Sequence, residues 1–456
     1  MKSRDLPTCN GAWVPAVAQV QRNSYWLVAP MVEVPFLMGF PAAVHKIPPT
    51  PKLGGVGTRS YYAGYSIEFV QAVLRSDWFS GATSILDPWC GAGTTCLASL
   101  AEGLPSHGVD INPVPLLLTL RRLASASELA RARRFALRRF EAGGDVSEPL
   151  LHRWFSKRAS ADFLGVSEAI RSEFGDPLQP LRMGAAVSSE QVVAAILFIA
   201  LGAAARQLAH AQTTNPTWLK MRIPSRNRAR AHAVTIANTL RQILAAQLVP
   251  CTSKQKDRGL VTLHLRGATD LGLASGTVGA IITSPPYLTR IDYAVATSAE
   301  LAVLSYSEES FELLRRSQTG PVLAQPLNVE DTETGDSAIA EVLRKIRRHS
   351  SKAAESYYYP TIRSYFSGLN EALREAHRTL TSQAHFGLVL QNSYFKDILI
   401  DLPQLAKEQA EGIGFKHVDQ IDYPCSSTRA TMHPHRASWR ETQAKTESFI
   451  ILRKTT

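Results

Sequence analysis

Two apolar runs, each breaking abruptly into a loop built for chemistry, constrain this chain more than anything else in it. The first is Ser84-Ile85-Leu86, followed by Asp87-Pro88-Trp89-Cys90-Gly91-Ala92-Gly93-Thr94-Thr95. A helix through Leu97 to Ala101 follows and Gly103 stops it. His107-Gly108-Val109-Asp110-Ile111 then reads as a second strand ending in an acid. A strand, a glycine turn, a helix and a strand with a terminal acid open a doubly wound, mostly parallel α/β sheet. The second run is Gly279-Ala280-Ile281-Ile282, which leads straight into Thr283-Ser284-Pro285-Pro286-Tyr287. If both strands belong to one parallel sheet, both loops open at its carboxyl edge, where such sheets bind ligands.

The alternation of strand and helix is interrupted between these loops. Residues 113–255 carry a helical, mostly basic pattern and are expected as an inserted, mainly helical domain. The sheet resumes at Leu260-Val261-Thr262-Leu263-His264-Leu265. The catalytic fold is therefore expected over 56–112 and 256–456, ahead of which 1–55 form an irregular arm. Six prolines between Pro30 and Pro51 exclude a long helix in that arm. Residues 65–74 have apolar side chains at helical spacing, Ile67, Val70, Val73 and Leu74. Residues 318–337 are acidic and turn-rich, the pattern of a mobile loop. Beyond them, 365–380 read as an amphipathic helix. Stretches around 387–390, 414–418 and 448–452 read as the last three strands, the final two pairing antiparallel.

In the first loop, Gly91 and Gly93 let the backbone turn tightly beneath a ligand. Thr94 and Thr95 stand where they can cap the next helix. Asp110 lies about 20 residues on, the usual distance for a carboxylate that accepts from ribose hydroxyls. Cys96 stands where a dinucleotide fingerprint has its third glycine, so a ribose-bearing cofactor without a pyrophosphate fits better than a nicotinamide. The second loop suits a flat base with an exocyclic amine. Such a nitrogen is a poor nucleophile because its lone pair is delocalised into the ring. Ser284 Oγ and the Pro285 carbonyl can accept from its two N–H bonds. Pro286 stiffens the turn, and Tyr287 offers a face for stacking. A base inside a duplex must be flipped out to reach such a pocket.

These residues resemble the S-adenosylmethionine-dependent amino-methyltransferases of DNA. Asp87, Pro88, Trp89, Gly91, Gly93, Thr94 and Thr95 look like the family's first motif, which binds the methionine part of the cofactor. Val109-Asp110-Ile111-Asn112-Pro113 looks like the second, with Asp110 on the ribose and Asn112 beside it. Ser284, Pro285, Pro286 and Tyr287 look like the catalytic motif, in the Ser form typical of enzymes acting on cytosine N4. Residues 61–70 sit where the family has a cofactor-closing motif. Gly267 stands where an acid often contacts the cofactor's adenine, and Asp270 is the nearest substitute. The resemblance implies a Rossmann-like fold, S-adenosyl-L-methionine as cofactor and double-stranded DNA as partner. It also implies a cytosine-N4 methylase of a restriction–modification pair, whose nuclease would be a separate protein, since no nuclease motif is evident here. Adenine N6 in DNA, a base in RNA, and a catalytically silent nucleic-acid-binding protein remain the alternatives.

Charge agrees with a polyanionic partner. The formal net charge is +11, and an excess of that size favours nucleic acid. Seven arginines between Arg121 and Arg139, with Lys220, Arg222, Arg226, Arg228 and Arg230, are the expected phosphate contacts. The order of the motifs in the family makes the insertion the target-recognition domain, with Trp154 and Trp218 as base-reaching candidates. Arg344-Lys345-Ile346-Arg347-Arg348-His349 is a second phosphate-contact candidate. Five scattered cysteines form no Cys-x-x-Cys pair, which indicates neither zinc nor a disulfide framework and fits a reducing cytoplasm. The most apolar run, 192–205, is too short to span a bilayer and is expected as a buried core helix.

Overall fold

The computed structural model describes residues 36–37, 40–41, 65–141, 149–209, 220, 223–247, 257–288, 292–318, 337–425 and 445–455. The expected irregular arm (apart from one strand pair), the acidic loop at 318–337 (apart from its two end residues) and Trp218 lie outside these residues.

In chain order, β1 (Phe36–Leu37) and β2 (Phe40–Pro41) pair with each other and precede α1 (Ile67–Leu74). The first unit follows as β3 (Ile85–Asp87), α2 (Thr94–Ala101) and β4 (Ser106–Asp110). The helical stretch holds α3 (Pro113–Arg122), α4 (Ala126–Phe135), α5 (Lys157–Phe174), α6 (Gln179–Met183), α7 (Ser189–Leu208) and α8 (Ala233–Ala246). Next come β5 (Val261–Leu265) and β6 (Val278–Thr283), then α9 (Tyr293–Ala296), α10 (Ser298–Val303), α11 (Glu308–Ser317) and α12 (Ala338–Arg347). The chain continues through α13 (Tyr359–Thr379), β7 (Leu380–Gln391), the hairpin β8 (Ser393–Phe395) and β9 (Ile398–Ile400), α14 (Leu402–Ile413), β10 (Phe415–Cys425) and β11 (Lys445–Lys454).

The fold is α/β. Seven strands form one sheet in the order β10-β11-β7-β6-β3-β4-β5. Pairing is parallel from β7 to β5 and antiparallel on both sides of β11. The buried strands alternate their side chains between two faces, as a pleated strand must. Leu86, Ile281, Leu388 and Ile450 turn toward α12, α13 and α14. Ile85, Ile282, Val389 and Phe449 turn toward Phe69, Val70 and Val73 of α1.

The segment expected as an inserted domain is helical throughout its described elements, and its core is shared with the rest of the molecule. One hydrophobic cluster joins Leu117, Phe163, Leu197 and Leu240 of that segment to Cys90, Cys96 and Leu263 of the sheet region. It also takes in Ala294, Leu301 and Phe311 of α9, α10 and α11. Helix α7 runs through its middle against α3, α4, α5, α8 and α10. It is the one described helix long and apolar enough to cross a membrane, and 83% of its most apolar stretch is buried in this core.

Between β4 and β5, His107 Nδ1 and His264 Nε2 lie 3.1 Å apart. Gly184, with φ +61°, closes α6 over the His264 ring, where a Cβ would come within 2.6 Å of Nδ1. Burial pushes both imidazoles below their usual range, His264 to about 4, with His107 and Arg266 adding to the effect on His264. The folded state therefore prefers both rings neutral. Their contribution to stability is complete above pH 6.5 and is lost as pH falls toward 4. In urea unfolding, we expect stability to drop through this window by up to about 1.4 kcal/mol per pH unit for each proton taken up. His264→Gln should flatten that slope, and an unchanged acid limb in the variant would contradict the assignment.

Candidate active site at the carboxyl edge of the sheet

The two sequence loops meet. Asp87 ends β3 and Thr283 ends the adjacent parallel strand β6, and Thr283 Oγ1 donates to Asp87 Oδ1 at 2.6 Å across 196 residues of chain. The other carboxylate oxygen accepts from Thr95 Oγ1 at 2.6 Å, and the Trp89 amide donates to Oδ1 at 3.2 Å. Since Thr95 spends its proton on the carboxylate, the Tyr65 hydroxyl, 2.6 Å away, donates to Thr95 Oγ1. Asp87 is 3% exposed. Burial pushes its carboxyl above the usual range, while bonds from Thr283, Thr95, Trp89 and Tyr65 pull it back. Burial and the nearby Asp87 likewise push the Tyr65 phenol well up.

This knot holds the glycine turn in place. Gly91 and Gly93 both have positive φ, +51° and +78°. Gly93 is the N-cap of α2, and a Cβ there would come within 2.3 Å of Thr119. Pro88 and Thr94 are buried, and Trp89 is half-buried against the α13 side of the core. Asp110, at the end of β4, accepts from the Gly91 amide at 3.0 Å through Oδ2 and from the Asn112 amide at 2.8 Å through Oδ1. Each oxygen keeps a lone pair for an outside donor. Burial raises the Asp110 carboxyl to about 7, against these two bonds. Asn112 faces inward: its Oδ1 caps α3 at Val114 and its Nδ2 donates to Thr297.

In the second loop Pro285 is buried, and Ser284, Pro286 and Tyr287 are half-buried. The Tyr287 hydroxyl donates to Glu447 Oε1, a residue 2% exposed near the start of β11. Burial, with the Glu447 charge behind it, pushes that phenol well above its usual range. Burial also raises Tyr293, close enough to feel the Asp110 charge and to influence Tyr287.

Several expected residues lie elsewhere. Asp270 has a side chain 73% exposed and paired with Arg266 at 3.0 Å. Trp154 is fully buried, its Nε1 donating to the Lys220 carbonyl at 2.6 Å, so it does not face outward. Some arginines of the helical segment turn back on the protein, while Arg134, Arg139, Arg226 and Arg230 are exposed. Arg133 donates to the carbonyls of Leu244 and Gln247 at the end of α8, and Arg241 to that of Ala136. Arg138 pairs with Glu173 and Arg131 with Glu190. Lys345, Arg347, Arg348 and Lys352 are exposed as well, Lys345 paired with Glu341 and Arg347 with Glu355. That stretch adjoins the site through Phe395 of β8, which packs on His349 and Tyr358, and through Ser393, which donates to the Leu288 carbonyl. Among the described residues no cluster of acids, histidines and cysteines could hold a metal ion.

No family model matches the chain. It is similar to the type II methyltransferase M.BsoBI of Geobacillus stearothermophilus, 21% identical over 403 residues that cover 78% of each protein. The rRNA methyltransferase AviRa of Streptomyces viridochromogenes aligns over 87% of this chain and 88% of its own, at 12% identity and a TM-score of 0.27. A candidate DNA modification methylase of Thermus thermophilus aligns over 21% of this chain and 38% of its own, at 15% identity and a TM-score of 0.17. The last two likenesses are too slight to bear on activity.

Asp87→Ala removes the acceptor for three hydroxyls, of Thr283, Thr95 and Tyr65, and for the Trp89 amide. We expect it to cost about 3 kcal/mol of stability in urea unfolding. A loss below about 0.5 kcal/mol would mean that the knot does not hold the two strand ends together.

Proposed function

We propose that this chain transfers a methyl group from S-adenosyl-L-methionine to the exocyclic N4 amine of a cytosine flipped out of double-stranded DNA. The observation that carries the reading is the bond from Thr283 to Asp87, which brings the glycine turn and the Ser-Pro-Pro-Tyr loop to one edge. The similarity to a type II methyltransferase supports it independently. The residues present suit the cofactor. Gly91 and Gly93 give the tight turn at positive φ, and the Asp110 carboxylate keeps acceptor capacity on both oxygens for a ribose diol. Asp87, Thr95 and Asn112, named from sequence as binding residues, would serve by holding the cradle's shape, because their polar atoms are engaged within the protein. When bound, near Gly91, Gly93 and Asp110, S-adenosylmethionine would supply an electrophilic sulfonium methyl, and the methylated amine would lose one proton to solvent.

The chain's own part is to prepare the nucleophile. Ser284 Oγ and the Pro285 carbonyl accept from the two N–H bonds and draw the nitrogen toward tetrahedral geometry. Tyr287 stacks on the ring, and most of the rate gain comes from positioning. The Ser form of the loop favours cytosine, and the reading fits the modification half of a restriction–modification pair with a separate nuclease. Phosphates would meet the exposed Lys345, Arg347, Arg348 and Lys352, with Arg134, Arg139, Arg226 and Arg230 also at the surface.

Incubating DNA with labelled cofactor and digesting the product should yield labelled N4-methylcytosine. Labelled N6-methyladenine alone would overturn the choice of base, and no label in DNA would overturn the reading. Ser284→Ala should slow transfer by about 100-fold.

Cofactor affinity should be full above about pH 7 and fall as pH drops below it, since protonation costs Asp110 an acceptor oxygen. An affinity that stays constant well into the acid range would remove Asp110 from the ribose.

In DNA binding, the double change Arg348→Ala with Lys352→Ala should reduce the salt-dependence slope by about 0.9 per residue. Arg133→Ala should lower stability and leave the slope unchanged. The reverse pattern would return the phosphate contacts to the helical segment.

A further inference from the structure

We propose that a cavity in the helical part of the molecule, between the α5–α6 turn and α11, binds one nucleotide whose base carries an exocyclic amine, with the phosphate on Arg171 and the amine toward Asp176. The inference goes beyond the methyl-transfer reading, since no residue of the Ser-Pro-Pro-Tyr loop lines this cavity, and it is tested by binding alone.

The cavity holds about 470 Å³, a size typical of small-molecule sites. Its wall carries three chemistries, and the protein answers each of them only in part. The first is a cation. Arg171, near the end of α5, donates to Ser305 Oγ at 3.1 Å and to the Leu304 carbonyl at 2.9 Å, and its guanidinium lies over the Phe198 ring. These partners are neutral, and among the described residues Arg171 forms no ion pair. Burial pulls the guanidinium below its ordinary range, with Asp176 and Glu168 offsetting this and Arg182 adding to it. A guanidinium does not shed its proton to escape that cost, and further N–H groups of its fork remain for an anion. Arg182 brings a second cation, but Asp176 answers it at 3.2 Å, so Arg171 is the charge in excess. Ser305 follows α10 with φ +68°, the left-handed position where glycine is usual. A serine there gives up backbone ease and gains an oxygen on Arg171.

The second chemistry is an acceptor. Asp176 takes one bond at each carboxylate oxygen, from the Leu178 amide at 3.1 Å and from Arg182. Both oxygens keep a lone pair suited to an N–H donor. The third is apolar, since the buried Leu178, Leu304 and Leu314 line the same space. An inorganic anion would leave those leucines against water, and an aliphatic acid would bring no donor to Asp176. A nucleotide with an amino base answers all three. S-adenosylmethionine does not, although Ile111 of the cavity directly follows Asp110. Its one carboxylate belongs to the methionine part, which the glycine turn would hold.

Calorimetric titration of the full chain is the test. Deoxycytidine and deoxyadenosine monophosphates should bind, while thymidine monophosphate, which lacks the amine, should bind about 10-fold more weakly and inorganic phosphate more weakly still. Arg171→Gln should lower affinity for deoxycytidine monophosphate at least about 10-fold. Because Arg171 also ties α5 to the end of α10, a change at the rim checks the same point without risk to the fold. Leu313 lines the cavity and is 65% exposed. Leu313→Glu should weaken binding about 3- to 10-fold, and Leu313→Lys should not. Equal losses in the two variants would overturn the site, because shape and not charge would then decide. Thymidine monophosphate or inorganic phosphate binding as well as the amino nucleotides would overturn it too, as would no binding of either amino nucleotide at about 1 mM. Displacement by S-adenosylhomocysteine would assign the cavity to the cofactor and overturn it likewise. Short DNA strands distinguish the source of the nucleotide. A strand that displaces deoxycytidine monophosphate, and that Leu313→Glu weakens to the same degree, supports a nucleotide within DNA. A strand that does neither, while the mononucleotide binds, supports a free nucleotide.

Discussion

A single buried carboxylate organises the functional edge of this protein. Asp87 is placed where β3 ends, and its two oxygens collect Thr283 from the neighbouring strand and Thr95 from the helix that follows. Burying a carboxylate is expensive unless its lone pairs are answered, and here the answering groups come from different segments of the chain. The cost of leaving it unanswered forces those segments together. The glycine turn, the start of α2 and the catalytic-type loop are thereby locked at one depth, with Tyr65 fastening the chain ahead of α1 to the same point. The proposed transfer needs a fixed separation between the glycine turn and the loop after β6, and the bonds to Asp87 hold those two segments together.

The reversed strand has a comparable consequence on the other side. In a wholly parallel sheet, every strand start lies on the edge remote from the site. Because β11 inserts antiparallel between β10 and β7, the residues that open it stand beside the loop that follows β6. A buried acid, Glu447, can therefore reach Tyr287 from behind. The strand order thus places a third element at the edge, beyond the two loops that carry the motifs.

Much of this was legible in the sequence, and the reason is physical. The β3–α2–β4 unit was readable because glycines at positive φ, a strand of apolar residues and a terminal acid have few other uses in that order. The last three strands were found, and the final two pair antiparallel as expected, although each is longer than its apolar centre suggested. The partners of the site were not legible. Tyr65, Thr283 and Glu447 have ordinary local contexts, and their roles arise from contacts across 30, 196 and 160 residues. The hairpin β8–β9 escaped notice because strands of three residues are too short to show a period, whereas α14 carries a helical period at Leu402, Leu405, Ala406, Ala410 and Ile413 that was not read. Asp270 was named by position within a resemblance, but its exposed pairing with Arg266 shows that position alone does not fix a side chain's surroundings.

Charge alone does not place a partner on the surface, for a physical reason. A burst of arginines in a basic chain invites a polyanion, yet guanidinium groups are also the side chains best suited to satisfying helix carboxyl ends and crossing between helices. Arg133 and Arg241 each donate to carbonyls at the end of a neighbouring helix. Arg153 and Arg206, buried at 4% and 7% exposure, bind Glu308 and Glu300. These four charges are part of how α4, α5, α7, α8, α10 and α11 stay assembled around a shared core. Net charge counts them equally with the exposed Lys345, Arg347, Arg348 and Lys352, although a buried, paired charge presents little field to a phosphate outside. A basic composition therefore says that a chain tolerates a polyanion nearby. Where the polyanion sits is decided by which cations the fold leaves at its surface and which it draws into its own core.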